Sequence, residues 1–463
     1  MKRPLRDLLR WAGLGLVVLF AIVILAAVAI SFQGRQKLAK VRGELLAKGE
    51  KLTWSELAPR PVPDDQNVVA DPIWKAPPNL SKNQETPWKE APVFQLNSPL
   101  AEKERREFAK LFGADDMGDW LGVAWNSDLS DRKASREQAN WILAAIAPYD
   151  PVLDRVHELL KRPSLRFGQN SDIYKNEAYS FGGGCLDVGK ALSLRALANL
   201  ALDNTDAAAR DITDLLSLVE KMGNQSLLYM EMLRLGIAAR VPSLIRAGIS
   251  EHQWSAEQLV KFEAALRPID FVAGIAQAFR GERGVRNQII EEVRTGSRTV
   301  GDAHIIPDGK GWPYGNALVY ACHTVFGPGD HAALNLDIQQ IVEMLDRSRE
   351  DGAQRIQIGA MLKTHNPITE CLCCSFLYQL GGNIDVAVME QTQLDQTRIA
   401  CALESCRIKH GAYPQSLSAL VPDNIPQLLV DRFSLALMKY QLTSADRFEL
   451  SARSGEDTIT WKN

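Results

Sequence analysis

The sequence predicts a mainly α-helical protein with an N-terminal transmembrane helix, an irregular body of αα-hairpins, and a small C-terminal α+β module carrying an antiparallel sheet. Three observations carry that expectation. An uncharged apolar run lies near the N-terminus, apolar residues recur at helical spacing through the middle of the chain, and the last segments alternate at period two.

The first element is "WAGLGLVVLFAIVILAAVAISF", Trp11 to Phe32, with no charge between Arg10 and Arg35. At about 1.5 Å per residue it crosses a hydrocarbon layer of about 30 Å. Trp11 and Phe32 fall at the two levels where aromatic rings anchor. The lipid bilayer is therefore a partner, contacted through residues 11–32. A cleaved signal peptide is the alternative, with Ala27-Val28-Ala29 as an A-x-A-like site; the length of the run favours retention. Lys2, Arg3, Arg6 and Arg10 precede the run, and Arg35, Lys37, Lys40, Arg42 and Lys48 follow it, so flanking charge does not orient it. Long C-terminal domains translocate largely regardless of charge. The expectation is a single pass through the cytoplasmic (inner) membrane, N-terminus inside and bulk of the chain extracytoplasmic.

Residues 33–51 read as a basic helix, and nine of the 22 prolines fall between Thr53 and Leu100, which favours extended structure there, so 33–100 is a basic helix followed by a Pro-rich spacer. Residues 101–383 form the helical body. Within it, "ALSLRALANLALDNTDAAARDITDLLSLVEKM" places apolar residues at helical spacing on both sides of Asp203-Asn204-Thr205-Asp206, an αα-hairpin with a polar turn. Further helices are predicted at 226–247 and 255–266, the second opened by a Ser255/Gln258 capping box. Residues 296–330, rich in Gly and Pro, read as an irregular loop, and helices resume at 331–363 and 384–410. The last unit, 384–463, adds strands in "LALMKYQL", "RFELSA" and "TITW".

Composition narrows function by exclusion. With 463 residues, 46% of them apolar, the chain can bury more than one core. A net charge of −3 without a basic stripe speaks against nucleic acid as a partner. Seven cysteines, an odd number, leave at least one without a disulfide, and Cys371, Cys373 and Cys374 stand too close for normal bridges among themselves.

The nearest nucleotide motif is "GCLDVGKA", Gly184 to Ala191. It puts Ala191 where a hydroxyl should hold magnesium, so it reads as a glycine-rich entry into a 186–202 helix with Lys190 solvated, and no nucleotide is expected. The segment "GDAHIIPDGKGWPYGNALVYACHTVFGPGDH" holds His304, His323 and His331 with Asp302, Asp308 and Asp330. Imidazoles and carboxylates can make an acid–base pair, which makes His304, His323, His331 and Asp330 the catalytic candidates. The bland reading makes Asp330 a helix N-cap and the rest turns. Cys371, Cys373, Cys374, Cys401, Cys406 and His410 match no structural zinc spacing, and core packing accounts for them. No cofactor and no metal is expected.

Two stretches carry a resemblance. "GEKLTWSELAPRPVPDDQNVVADPIW", Gly49 to Trp74, includes a PVPD-x-x-N segment from Pro61 to Asn67, and the ending "RIACALESCRIKHGAYPQSLSALVPDNIPQLLVDRFSLALMKYQL" contains G-x-Y-P followed by L-x-x-L-V-P. Together they resemble a set of uncharacterised bacterial single-pass membrane proteins, and the ending is similar to the last part of type II secretion pseudopilins. Gly411, Tyr413, Pro414, Leu417, Leu420, Val421, Pro422, Asp431, Phe433 and Tyr440 match that ending; Arg432, Leu435 and Cys406 depart from it. The resemblance implies a small α+β ending and names no reaction. The functional expectation is a binding or scaffolding component of the cell envelope with protein partners. The alternative is an extracytoplasmic hydrolase using the His-bearing segment 304–331.

Overall fold

Helix α1 (Arg3–Ala47) sets two environments in one rod. In the computed structural model, which describes residues 3–74, 136–167, 177–223, 225–295, 297, 315–351, 371–431, 436–454 and 457–463, its apolar stretch is exposed on every face over residues 11–26 and partly covered at Ala27 and Ser31. Leu19, Phe20, Ile22, Leu25 and Val28 are all more than half exposed. This is the one helix among the described residues long and apolar enough to cross a membrane. From Gly34 onward the same helix is buried along one stripe through Val41 and Leu45, with Leu38 packed beside them. These positions recur at i, i+4, i+7 and i+11, one helical face. Gly49 then ends the helix at φ +81°, its N–H donating to Leu46 O at 2.9 Å and that of Glu50 to Leu45 O at 3.0 Å. This is a Schellman closure, which a β-carbon at residue 49 would strain.

The chain divides into two compact units, the first Met1–Leu57, Glu282–Glu343 and Ile356–Gly382, the second Ala58–Gly281, Met344–Arg355 and Asn383–Asn463. In the first, α1 and the short α2 (Trp54–Leu57) pack on residues 282–295 of α10 (Phe271–Thr295) and on α11 (Gly315–Asp351). The approach is close: a β-carbon on Gly34 would lie 2.8 Å from the backbone nitrogen of Gly329, and one on Gly284 would lie 2.7 Å from Leu57 Cδ1. Arg283 is fully buried, donating to Gln339 Oε1 at 2.7 Å and to Glu50 Oε2 at 2.5 Å.

The second unit begins with the PVPD segment. Three short 3₁₀ turns between Asp64 and Trp74 lay it against residues 160–167. Asn67 explains the segment's shape: its side-chain amide donates to Arg166 O at 2.7 Å and accepts from Arg166 N at 2.8 Å, so it copies a strand's backbone pairing. Val68 N donates to Ser164 O, and Val68 and Trp74 are fully buried. Residues 75–100 of the expected spacer, and 101–135 of the expected body, lie outside the described residues.

The body of this unit is α3 (Arg136–Ile146), α4 (Asp150–Leu159), α5 (Glu177–Ala201), α6 (Thr205–Met222), α7 (Leu228–Ala238), α8 (Val241–Ser250) and α9 (Ala256–Leu266). The α5–α6 hairpin turns at Asp203, which takes φ +65°, and α9 opens with the Ser255/Gln258 capping box. The helix expected over 226–247 is two helices, because Pro242 in the first turn of α8 has no N–H to continue α7's ladder. The expected loop 296–330 is helical from Gly315, and Asp330 lies inside α11 instead of capping it.

Helix α12 (Cys371–His410) belongs to this unit from Asn383 onward. Its buried polar residues grip three elements: Gln391 Oε1 accepts from Phe271 N at 2.8 Å, Arg398 Nη2 donates to Glu263 Oε1 at 2.9 Å, and Gln396 Nε2 donates to Ile459 O at 3.0 Å. The sheet is antiparallel in the order β1 (Lys439–Ser444), β2 (Arg447–Ser454), β3 (Asp457–Lys462). Alternate residues Phe448, Leu450 and Ala452 are buried, and Phe448 stacks on Trp461 with centroids 5.3 Å apart.

One glycine of α10 gives a direct stability test. Ser226 takes φ +51° and turns its carbonyl toward α10, where a β-carbon on Gly281 would stand 1.6 Å from that oxygen. Backbone cannot yield as a side chain does. Gly281→Ala is expected to cost at least about 3 kcal/mol, the upper end for overpacking, read as a lowered urea midpoint.

Candidate functional site

Of the four catalytic candidates singled out by sequence, the side chains of Asp330 and His331 are described. His304 lies outside the described residues, as does the side chain of His323, whose backbone belongs to α11. His331 is buried in the first unit. Its Nε2 meets Asn287 Oδ1, an acceptor that also takes an N–H from Asn335 at 2.9 Å, while Asn287 Nδ2 donates to Leu52 O at 2.9 Å. The imidazole thus joins a network of Asn287, Asn335 and the Leu52 carbonyl through Asn287. Asp330 is buried beside it.

The glycine-rich motif also changes character. Gly184 to Ala191 lies within α5, so no loop is there to cradle a phosphate, and Lys190, expected in solvent, is buried with its ammonium 3.2 Å from Asp187. Burial pushes Asp187 up to about 6 against the pull of Lys190. Cys185, Cys401 and Cys406 are buried free thiols, and burial raises all three above the usual cysteine range. The side chains of Cys371, Cys373 and Cys374 lie outside the described residues. Among the described residues no group of three or more His, Cys, Asp or Glu side chains is placed to hold a metal ion.

What the fold does bring together is a polar cleft in the second unit. A cavity of about 640 Å³ is lined by Glu220, Arg234, Asp270, Gln277, Arg280 and Asp346, with Gly223 and Gly274 in its wall. Arg234 organises it. The side chain is 4% exposed; Nε donates to Val219 O at 2.8 Å, Nη1 to Glu231 Oε1 at 2.7 Å, and the guanidinium carbon lies 4.5 Å over the Phe271 ring. Gly223 and Gly274 make room for it, since β-carbons there would meet its atoms at 3.0 and 2.7 Å. Burial pushes Glu231 up and the adjoining Arg234 pulls it back. At the mouth, Arg280 Nη2 pairs with Asp346 at 2.5 Å.

A second polar cluster joins α12 to the sheet. Glu404 is fully buried and accepts from His252 Nδ1 at 2.9 Å, from Arg407 Nη2 at 2.7 Å and from the Tyr413 hydroxyl at 2.5 Å. Asn463 Nδ2 donates to the same hydroxyl at 3.0 Å, and Tyr440 hydroxyl donates to Pro414 O at 2.8 Å. The helix ends in a left-handed glycine: Gly411 takes φ +81° and its N–H donates to Arg407 O at 2.7 Å. Leu417 and Leu420 are buried, whereas Val421 is only partly covered.

Neither cluster was singled out from sequence. The signal for the cleft was Glu231 and Arg234, an i, i+3 ion pair inside the otherwise apolar "LLYMEMLRLGIA". No protein-family model, no curated protein and no solved structure matches the chain.

Proposed function

We propose that this protein is a single-pass, membrane-anchored binding or scaffolding component whose body lies on the extracytoplasmic side of the cytoplasmic membrane. One observation carries the reading: α1 passes from exposure on every face at residues 11–26, through partial cover at Ala27 and Ser31, to a buried stripe beginning at Gly34, without a break in the helix. That is the behaviour of a span emerging from hydrocarbon directly into a folded unit. The cleft around Arg234 supplies a surface with convergent polar groups, the kind that fixes a ligand's orientation.

Carbonate-washed membranes should retain the protein at full length; a soluble product shortened at Ala29 would refute the anchor. A phosphatase fused to the C-terminus should be active, and a silent fusion would reverse the orientation. Crosslinking in intact membranes followed by pull-down should recover a stable protein partner; recovery of none overturns the scaffolding role.

A further inference from the structure

We propose that the first part of α11, residues 315–329, is a second membrane contact: a re-entrant helix end that enters the hydrocarbon layer beside α1 and takes lipid acyl chains as its partner. The inference rests on the anchor reading above and adds no second crossing.

Register carries it. In the first unit α1 and α11 run parallel. A β-carbon on Gly34 would lie 2.8 Å from Gly329 N, and fourteen residues further along both helices Lys48 Nζ pairs with Glu343 Oε1 at 2.8 Å. The same offset of 295 residues relates both contacts, so it fixes the level of each α11 residue against α1. Followed back, that offset sets Gly315 level with Phe20 and Gly327 level with Phe32, inside the run that crosses the bilayer. Residues 315–327 thus reach about 20 Å below the level of Gly34. A kink of about 30° at Pro328 would shorten this only to about 17 Å.

The charge boundary agrees. No Asp, Glu, Lys or Arg occurs in α1 from Trp11 to Gly34, or in α11 from Gly315 to Gly329. The next residues are Arg35 and Asp330, which the offset places at one level. An uncharged stretch too short to cross a bilayer suits a re-entrant helix.

Exposure gives the third support. Ala27 and Ser31, the partly covered residues of the span, lie on the stripe that continues through Gly34, Leu38, Val41 and Leu45. The face of α1 that meets α11 above the bilayer is therefore still partly covered two turns lower. Small residues on that face admit a neighbouring backbone, as in packed membrane helices. On α11, Val325 and Phe326 remain partly exposed at the level of Ile30 and Ser31. A helix N-terminus is tolerated at membrane depth where protein or water meets its N–H groups, so one side of this segment belongs to the protein and the other to lipid.

The test uses the intact chain in phospholipid vesicles doped with a phosphatidylcholine that carries a diazirine at the end of one acyl chain. After photolysis, peptide mapping by mass spectrometry should place label on residues 11–32 and on 315–329. Leu46 and Leu336, exposed apolar residues of the same unit above the bilayer level, should carry at least tenfold less. Label on 11–32 without label on 315–329 overturns the re-entrant helix and leaves the anchor standing. Equal label on Leu46 and Leu336 overturns it too, because that pattern reports apolar exposure alone. Absence of label from 11–32 overturns the anchor and this proposal together.

Discussion

Glu404→Ala is expected to destabilise the second unit by about 3 kcal/mol, because it removes one acceptor that serves three donors. Tyr413 is the buried donor of the three, and its hydroxyl loses the 2.5 Å bond to Glu404 while retaining only the N–H of Asn463. His252 and Arg407 are partly exposed and can turn to water, which keeps the cost near the lower end for a broken buried charge network. Burial pushes Glu404 up, but hydrogen bonds from Arg407, Tyr413 and His252 together hold it below the usual carboxylate range. The sign follows: this carboxylate stabilises the fold above its unfolded pKa, and that stability is lost as pH falls through the lower folded value. Urea unfolding of the variant should therefore show a shallower loss of stability in acid than wild type. An equal slope, or a midpoint within error of wild type, would contradict this account.

Glu390→Gln should do the reverse, and with comparable size. Glu390 is 5% exposed on α12, its Oε2 has no hydrogen-bond partner among the described residues, and burial pushes it from 4.5 up to about 7. A raised acid folds best protonated. Its contribution is intact below about pH 4.5 and is lost as pH rises through 7. The shift corresponds to about 3 kcal/mol at pH 8 and above. Wild type should lose stability between pH 5 and 8, and Glu390→Gln should flatten that decline. Parallel slopes for the two proteins would show that Glu390 titrates normally.

Periodicity made most of the helical plan legible. The apolar run of α1, the Asp203 turn of the hairpin, the Ser255 capping box and the Gly411 helix end all follow from local chemistry, and local chemistry is what a sequence prints. The errors fall where tertiary packing overrides composition. "MEQTQLDQTRIACALESC" reads as half polar, yet Gln391, Thr392, Asp395, Gln396, Thr397 and Glu404 are buried because they hydrogen-bond to other elements or to the preceding turn of α12. Glycines and Pro328 suggested a loop before Asp330; instead Gly329 admits α1 at Gly34, and the helix continues through the proline. The cleft escaped notice because its residues span Glu220 to Asp346, and only the Glu231–Arg234 spacing was local enough to see.

The unbroken course of α1 has a mechanical consequence. Between Phe32, the last residue of the apolar run, and Gly34, the first buried residue, the helix rises about 3 Å, and Ser31 is already partly covered. With the run seated in a bilayer, no slack separates the first unit from the lipid surface. Such a unit cannot swing outward like a head on a flexible stalk; it turns only as the span turns. Its share of any partnership is then confined to a layer next to the headgroups, where molecules already held at the membrane meet it at far higher local concentration than diffusing ones.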